Sequence, residues 1–97
     1  MAVYVDELVW ESRGRMWCHL LSDSDAELHR FAVRLGLPRS AFHSRPGRPW
    51  RDHYDVPDEL RAGAVRLGAR EITFHEAGGH IVRRRQALFA DRMGTKI

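Results

Sequence analysis

The amino-acid sequence predicts an α/β fold, a small sandwich with a mostly parallel sheet built from two similar helix-strand units. Residues 25–44 and 57–76 are identical at nine of twenty positions when aligned at one fixed offset. Each segment carries apolar residues at helical spacing and then a short strand-like run. Strands that alternate with helices of this length favour a parallel sheet with right-handed crossovers.

Two strand-like segments precede the first unit. Residues 2–6 have the sequence AVYVD, and residues 14–21 have the sequence GRMWCHLL. Both are rich in the β-branched, aromatic and apolar residues that strands favour. The predicted order is therefore strand, strand, helix, strand, long loop, helix, strand and tail.

The first unit begins with an amphipathic helix. Ser24 and Glu27 form a capping box at its start, and Gly36 occupies the position where a helix ends in a left-handed residue. In the following strand, SAFHS, Phe42 and His43 are predicted to face opposite sides. The apolar face of the helix has the spacing i, i+3, i+4, i+7 and consists of Leu28, Phe31, Ala32 and Leu35.

The second unit repeats this pattern between Pro57, a residue favoured at the first helical position, and Gly68. Its predicted strand is REITFHE, residues 70–76. For the tail, residues 77–97, we considered a hairpin turning at Gly78-Gly79 and a helix over RRRQALFADRMG closed by Gly94. Two adjacent glycines inside a helix cost about 2 kcal/mol, so a break is expected there.

Composition limits the function classes. The 97 residues predict one domain, and the net charge of +3 is mild for a nucleic-acid-binding protein. The single cysteine, Cys18, excludes an intrachain disulfide and a CxxC metal or redox motif. Neither a signal peptide nor a membrane-spanning segment is recognisable. We expect a cytoplasmic protein without membrane association.

Polar residues precede both predicted helices. In a parallel sheet the loops that enter helix N-termini gather at the carboxyl ends of the strands, where ligands bind. Asp23 and Asp55 occupy equivalent positions before the helices. One edge of the sheet should then collect His19, Asp23, His53, Tyr54 and Asp55, joined by Asp6 if the first strand runs parallel.

Such an edge suits three chemistries. Asp23, His53 and Asp55 are the candidate ligands of a divalent metal, Mn or Zn. Alternatively, an acid-base site would use His–Asp pairing. The third possibility is a phosphate-binding site, because helix N-termini attract anions. The candidate catalytic residues are His19, His53, Tyr54 and Asp55, and the candidate phosphate-binding residues are Arg15, Arg48 and Arg51, with Trp50 as a surface on which a base stacks.

Each of these residues also has a purely structural interpretation. Asp23 and Asp55 are candidate helix caps, and Trp50 could close over the core. His29 is predicted to lie on a solvated helix face. His43 and His75, which match in the repeat, share an expected structural cause such as ending a strand. No HExxH, GxGxxG, Walker or GxSxG motif occurs in the sequence.

Three segments resemble a known family: MAVYVD, GRMWCHLLSDSDAELHRFAVRLGL and HYDVPDELRAGAVRLGA. The chain is similar to a small bacterial and phage family catalogued as domain-of-unknown-function family 4031, over residues 1 to about 70. The family often has Thr where this chain has Val56, which shifts capping toward Asp55. The matching positions are Gly14, Arg15, Trp17, His19, Leu20, Asp23, Glu27, Leu28, His29, His53, Tyr54 and Asp55.

The resemblance implies no activity, but its polar positions coincide with the predicted edge. Two function classes follow. One is a metal-dependent or acid-base enzyme that acts on a phosphate-containing or nucleic-acid substrate. The alternative is a non-catalytic phage or bacterial accessory module that binds protein or nucleic acid through the basic loop and tail. If the chain is phage-encoded, the expected location is the host cytoplasm.

Overall fold

The computed structural model describes residues 2–92, which form one six-stranded sheet and three helices. The strand order is β4-β5-β3-β1-β6, and β2 pairs with the first half of β3. The strands are β1 (Val3–Val5), β2 (Trp10–Ser12), β3 (Arg15–Ser22), β4 (Phe42–His43), β5 (His53–Pro57) and β6 (Arg70–Glu71). The helices are α1 (Asp25–Leu35), α2 (Asp58–Arg66) and α3 (Phe74–Arg92).

The α/β class is confirmed, but the prediction of a mostly parallel sheet is wrong. The β1–β6 pair is parallel, and the other four pairs are antiparallel. A tight turn between β2 and β3 has positive φ at Arg13 (55°) and Gly14 (74°), which is the backbone twist that two-residue hairpins prefer. This turn and the strand β2 before it were not predicted from the sequence.

The topology explains the error. β3 and β4 are both antiparallel to β5 and hence parallel to each other, so the β3-α1-β4 connection is a crossover with β5 inserted between its strands. The β5-α2-β6 connection is a second crossover, and it spans β3 and β1. The helices do connect parallel strands, as alternation suggested, but the two crossovers run in opposite directions and their strands interleave.

The two predicted units therefore end differently. β4 lies at one edge of the sheet and β6 at the other. The predicted strand REITFHE is shorter than expected, because only Arg70–Glu71 is extended and Phe74 already begins α3. Phe42 and His43 are thus strand residues, whereas Phe74 and His75 belong to a helix.

One face of the sheet forms the core with α1 and α2. α1 starts and ends where predicted, since Ser24 Oγ accepts the backbone N–H of Glu27 at 3.3 Å and Gly36 is left-handed with φ 88°. Because side chains alternate across a strand, every second residue of β3 and β5 points into this core. The buried residues include Val5, Cys18, Leu20, Leu28, Phe31, Ala32, Tyr54, Val56 and Ala64.

α3 lies against the opposite face of the sheet and runs unbroken through Gly78 and Gly79. The predicted break is wrong, since burial of Ala77 (4% exposed) and His80 (5%) offsets the low helix propensity of the glycines. The helix begins with a reciprocal capping box: the N–H of Thr73 donates to Glu76 Oε1 at 2.8 Å, and the N–H of Glu76 donates to Thr73 Oγ1 at 3.0 Å.

The predicted C-terminal cap, Gly94, lies outside the described residues. In the part of the chain that the structure describes, no helix combines the length and the apolarity needed to cross a bilayer.

Candidate metal centre

Three strands place histidine and aspartate side chains on the face of the sheet that α1 and α2 leave uncovered. His19 of β3 lies directly opposite Asp55 of β5 in the antiparallel register. His53 precedes Asp55 by two residues and so shares its face, and β4 brings His43 opposite His53. The register of adjacent strands, rather than the meeting of strand ends, thus brings His19, His53 and Asp55 together.

Asp6, the residue after β1, fixes the orientation of His19. The carboxylate is fully buried; its Oδ1 accepts the backbone N–H of His19 at 2.6 Å, and its Oδ2 lies 2.7 Å from His19 Nδ1. An ionised carboxylate can only accept hydrogen bonds, so Nδ1 carries the hydrogen. The lone pair of His19 then resides on Nε2, as in metal-binding histidines that a carboxylate orients from behind.

His53 lies between two hydrogen-bond acceptors. Its Nδ1 donates to the backbone carbonyl of Arg51 at 2.8 Å, and its Nε2 lies 3.2 Å from Asp55 Oδ1. Burial acts to lower the pKa of His53, but the hydrogen bonds with Asp55 and the Arg51 carbonyl outweigh it and raise the pKa. The contacts of His53 with Asp55 and with the Arg51 carbonyl thus favour the protonated form of the ring.

Asp55 has an imidazole beside each oxygen. Its Oδ2 lies 2.9 Å from His43 Nε2, whose ring stacks on His53 with centroids 5.4 Å apart. Burial acts to raise the pKa of Asp55, but the hydrogen bond from His53 and the positive charges of the neighbouring histidines lower it overall. The carboxylate is thus ionised and available as a ligand.

His19, His53 and Asp55 each offer a ligand atom, and these three atoms lie within 4.8 Å of one another. Among the side chains that the structure describes, residues 2–90, this is the one group of three or more His, Cys, Asp or Glu residues with such spacing. Two imidazoles and one carboxylate, with further positions open, are the donor set of many catalytic zinc, manganese and iron(II) sites.

A cavity of about 470 Å³ opens beside these histidines, between the sheet and α3. This volume falls within the range of small-molecule pockets. One side of the cavity is polar and is lined by Asp6, His19, His43, Ser44, Arg45, Arg51 and His53. The side formed by α3 is apolar and is lined by Phe74, Ala77, Gly78 and Ile81, and Leu21 adds an apolar side chain beside His19 on β3.

Asp23 does not belong to the cluster, contrary to the prediction that it shares an edge with Asp55. It follows the end of β3, where its carboxylate accepts hydrogen bonds from the N–H of Ala2 at 3.0 Å and the Tyr4 hydroxyl at 3.1 Å. The two crossovers run in opposite directions, so the start of α1 and the start of α2 lie at opposite ends of the sheet.

Tyr54 also lies away from the cluster, and the prediction of a catalytic Tyr54 is not supported by its position. Alternation along β5 turns it to the core face, where it is 2% exposed. Its hydroxyl lies 2.8 Å from His29 Nδ1. His29 is accordingly half-buried, and the expectation that it lies on a solvated face is wrong.

The predicted phosphate-binding residues separate in the structure. Arg51 lines the cavity, whereas Arg15 pairs with Glu59 at 3.1 Å outside it. Arg48 is exposed in the loop between β4 and β5 and is not a lining residue. The ring of Trp50 is covered by the guanidinium of Arg85, 5.3 Å from the ring centroid, and so ties this loop to α3.

The contribution of α3 to the cavity was missed in the sequence analysis. The motif Thr73-x-x-Glu76 is a capping-box signature and would have placed a helix start directly before Phe74. The tail arginines are also partly engaged, since Arg84 Nη1 donates to the Ser22 carbonyl at 3.0 Å. They are thus less available for a polyanion than a solvated basic face would be.

Comparison with known proteins identifies a family but no activity. The family model described as "Protein of unknown function (DUF4031)" matches residues 3–87, which include every side chain of the cluster and of the cavity. No curated protein and no solved structure matches the chain significantly.

Proposed function

Because the chain belongs to the DUF4031 family, whose description names no activity, we propose its function from the site: a divalent-metal-dependent enzyme that hydrolyses a phosphate-containing substrate. His19, His53 and Asp55 are the proposed ligands of Zn²⁺ or Mn²⁺. Asp6 and the Arg51 carbonyl orient the two imidazoles. Arg45 and Arg51 are the proposed contacts of the phosphate group.

The observation that carries this proposal is the hydrogen bonding of His53. Its Nδ1–H is committed to the Arg51 carbonyl, so in the neutral ring the Nε2 lone pair faces Asp55 Oδ1 at 3.2 Å. Two lone pairs that face each other repel, unless a proton or a cation lies between them. Two ligands bound at about 2.1 Å and at tetrahedral to octahedral angles are about 3.0–3.4 Å apart, so this separation suits a shared metal ion.

The proposed reaction is hydrolysis of a phosphate ester. The oxygen of water forms a bond to phosphorus, the ester P–O bond breaks, and the alcohol leaves with a proton. A bound divalent ion would supply Lewis acidity and lower the pKa of water. His43, whose Nε2 faces Asp55 Oδ2 at 2.9 Å, is the imidazole that we assign to proton transfer at the leaving oxygen. Arg45 and Arg51 would neutralise charge on the other phosphate oxygens.

Calorimetric titration with Zn²⁺ and with Mn²⁺ tests the centre. We expect one ion to bind per chain in the wild type, and no binding in the His53→Ala/Asp55→Ala double variant. His75→Ala is the matched control, because His75 is exposed on α3 and is not among the ligands. Its metal binding should equal that of the wild type.

Hydrolysis of p-nitrophenyl phosphate by the metal-loaded protein then tests the activity. Loss of turnover in His43→Ala with unchanged metal affinity would support the assignment of His43. Failure of the wild type to bind either metal would refute the metal centre and favour a non-catalytic binding module.

A further inference from the structure

The cavity beside the proposed metal centre has two chemically different walls. Arg45 and Arg51 line the cavity together with the histidines of the sheet, while Phe74, Ala77 and Ile81 of α3 form the opposite, apolar side. Phe74 is 54% exposed, and its ring lies nearly parallel to that of His19, with centroids 6.5 Å apart and 28° between the planes. A ligand that fills this space must therefore be anionic at one end and apolar at the other.

Gly78 keeps the apolar end of the cavity open. A Cβ built at this position meets no atom within 4 Å, although Gly78 lies in a helix and lines the cavity. Gly79 differs, since a Cβ there lies 3.3 Å from Arg83 Nη1 and the residue is not a cavity wall. Any side chain at position 78 would project into this open part of the cavity.

From this arrangement we infer that the substrate is a small phosphate monoester whose alcohol carries an aromatic ring, and that the ring occupies the space above Gly78 beside Phe74. The inference rests on the proposed function for the phosphate group of the substrate, and it adds the chemical class of the alcohol. The cavity has the volume of a small-molecule site, and α3 forms one side of it.

The position of the ring also follows from charge. The polar wall holds the proposed cation and two arginines, which attract the phosphate and exclude an apolar group that would desolvate them. The apolar wall holds no charged side chain among its lining residues, so an aromatic ring there removes apolar surface from water on both partners.

Phenylphosphonate and methylphosphonate are suitable probes, because their P–C bonds resist hydrolysis and they differ only in the ring. Each is titrated calorimetrically into the protein with and without bound Zn²⁺. We expect phenylphosphonate to bind about tenfold more tightly than methylphosphonate, a ratio equivalent to about 1.4 kcal/mol. Equal affinity of the two phosphonates, or binding of neither, would overturn the inference.

Two helix variants locate the ring. Gly78→Leu should abolish the preference for phenylphosphonate while leaving methylphosphonate and Zn²⁺ affinity unchanged. Gly79→Leu, the matched control on the same helix, should keep the preference. Both substitutions improve helix propensity by about 1 kcal/mol, and the melting temperature checks that each variant folds; Gly78→Ala provides a smaller obstruction if the leucine variant does not fold.

The outcomes separate this inference from the proposed function. A phenyl preference that is abolished by Gly78→Leu in a protein without Zn²⁺ affinity would support the cavity assignment and refute the metal centre. Zn²⁺ binding together with equal affinities for the two phosphonates would support the metal centre and refute the aromatic site. A preference that survives Gly78→Leu would place the ring elsewhere and so overturn the inference.

Discussion

Asp6→Asn is the sharpest test of how the candidate centre is built. The substitution preserves shape, and the amide oxygen can still accept the backbone N–H of His19 that Asp6 Oδ1 accepts at 2.6 Å. The amide NH₂ group then faces His19 Nδ1, where Oδ2 had been at 2.7 Å. Because an NH₂ group donates, Nδ1 must become the acceptor and the hydrogen moves to Nε2. The variant should therefore retain the position of His19 and lose its ligand lone pair.

The expected magnitude follows from this change of tautomer. Loss of an orienting partner behind a metal-binding histidine costs about 10–100-fold in metal affinity, or about 1.4–2.8 kcal/mol. We expect Zn²⁺ affinity to fall by at least that factor. Exchanging charge-assisted for neutral hydrogen bonds should lower the free energy of unfolding by only about 1–2 kcal/mol, so the variant should remain folded.

The assay combines calorimetry, urea denaturation and ¹⁵N NMR of the His19 ring. Asp23→Asn is the matched control, since Asp23 likewise accepts a backbone N–H, from Ala2, and a side-chain donor, the Tyr4 hydroxyl, but lies outside the cluster. It should leave Zn²⁺ affinity unchanged. If Asp6→Asn binds Zn²⁺ as tightly as the wild type, or if His19 carries its hydrogen on Nδ1 in both proteins, then the reasoning about Asp6 is refuted.

Four further predictions concern stability and reactivity. Phe31→Ala, at a side chain 7% exposed, should cost about 3–5 kcal/mol in urea unfolding; a silent variant would contradict the core assignment. Tyr54→Phe removes the hydroxyl bonded to His29 and should cost about 0.5–1.5 kcal/mol, measured in the same way. Burial lowers the pKa of His80, so the unfolded chain binds this proton first and the contribution of His80 to the free energy of unfolding should fall as pH drops below about 6.5; the same pH dependence of unfolding in the wild type and in His80→Gln would contradict this. Burial raises the pKa of the Cys18 thiol to about 12, so Ellman's reagent should react only after denaturation.

Local patterns predicted the elements better than their arrangement. The capping residue Ser24 and the terminal Gly36 bound α1 as expected, because both signals act within one turn of the backbone. β5 is inserted, in the antiparallel direction, between β3 and β4, the two strands that α1 connects. No residue of the helix-strand pattern encodes that insertion, so the parallel arrangement was a reasonable but wrong prediction.

The candidate site was predicted in part for the same reason. His19, His53 and Asp55 do meet, yet they meet through the antiparallel register of β3 and β5 and not through the ends of parallel strands. Asp23 was assigned to the site by its similarity to Asp55 before a helix, and the opposite direction of the two crossovers separates them. Tyr54 was assigned to the wrong face of the sheet. Side chains alternate along a strand, so Tyr54 must face away from the side chains of His53 and Asp55.

The hydrogen bonds on this face of the sheet support the proposed metal ion over an acid-base pair. Asp55 has His53 beside one carboxylate oxygen and His43 beside the other, and Asp6 lies behind His19. A protonated His53 commits both ring nitrogens to hydrogen bonds, with the Arg51 carbonyl and with Asp55, so no nitrogen is left to exchange a proton with a substrate. A divalent cation bound by the proposed ligands would leave the Nδ1 hydrogen bonds of His19 and His53 intact. The hydrogen bonds behind the two imidazoles are therefore more useful to a metal centre than to general acid-base catalysis by the same residues.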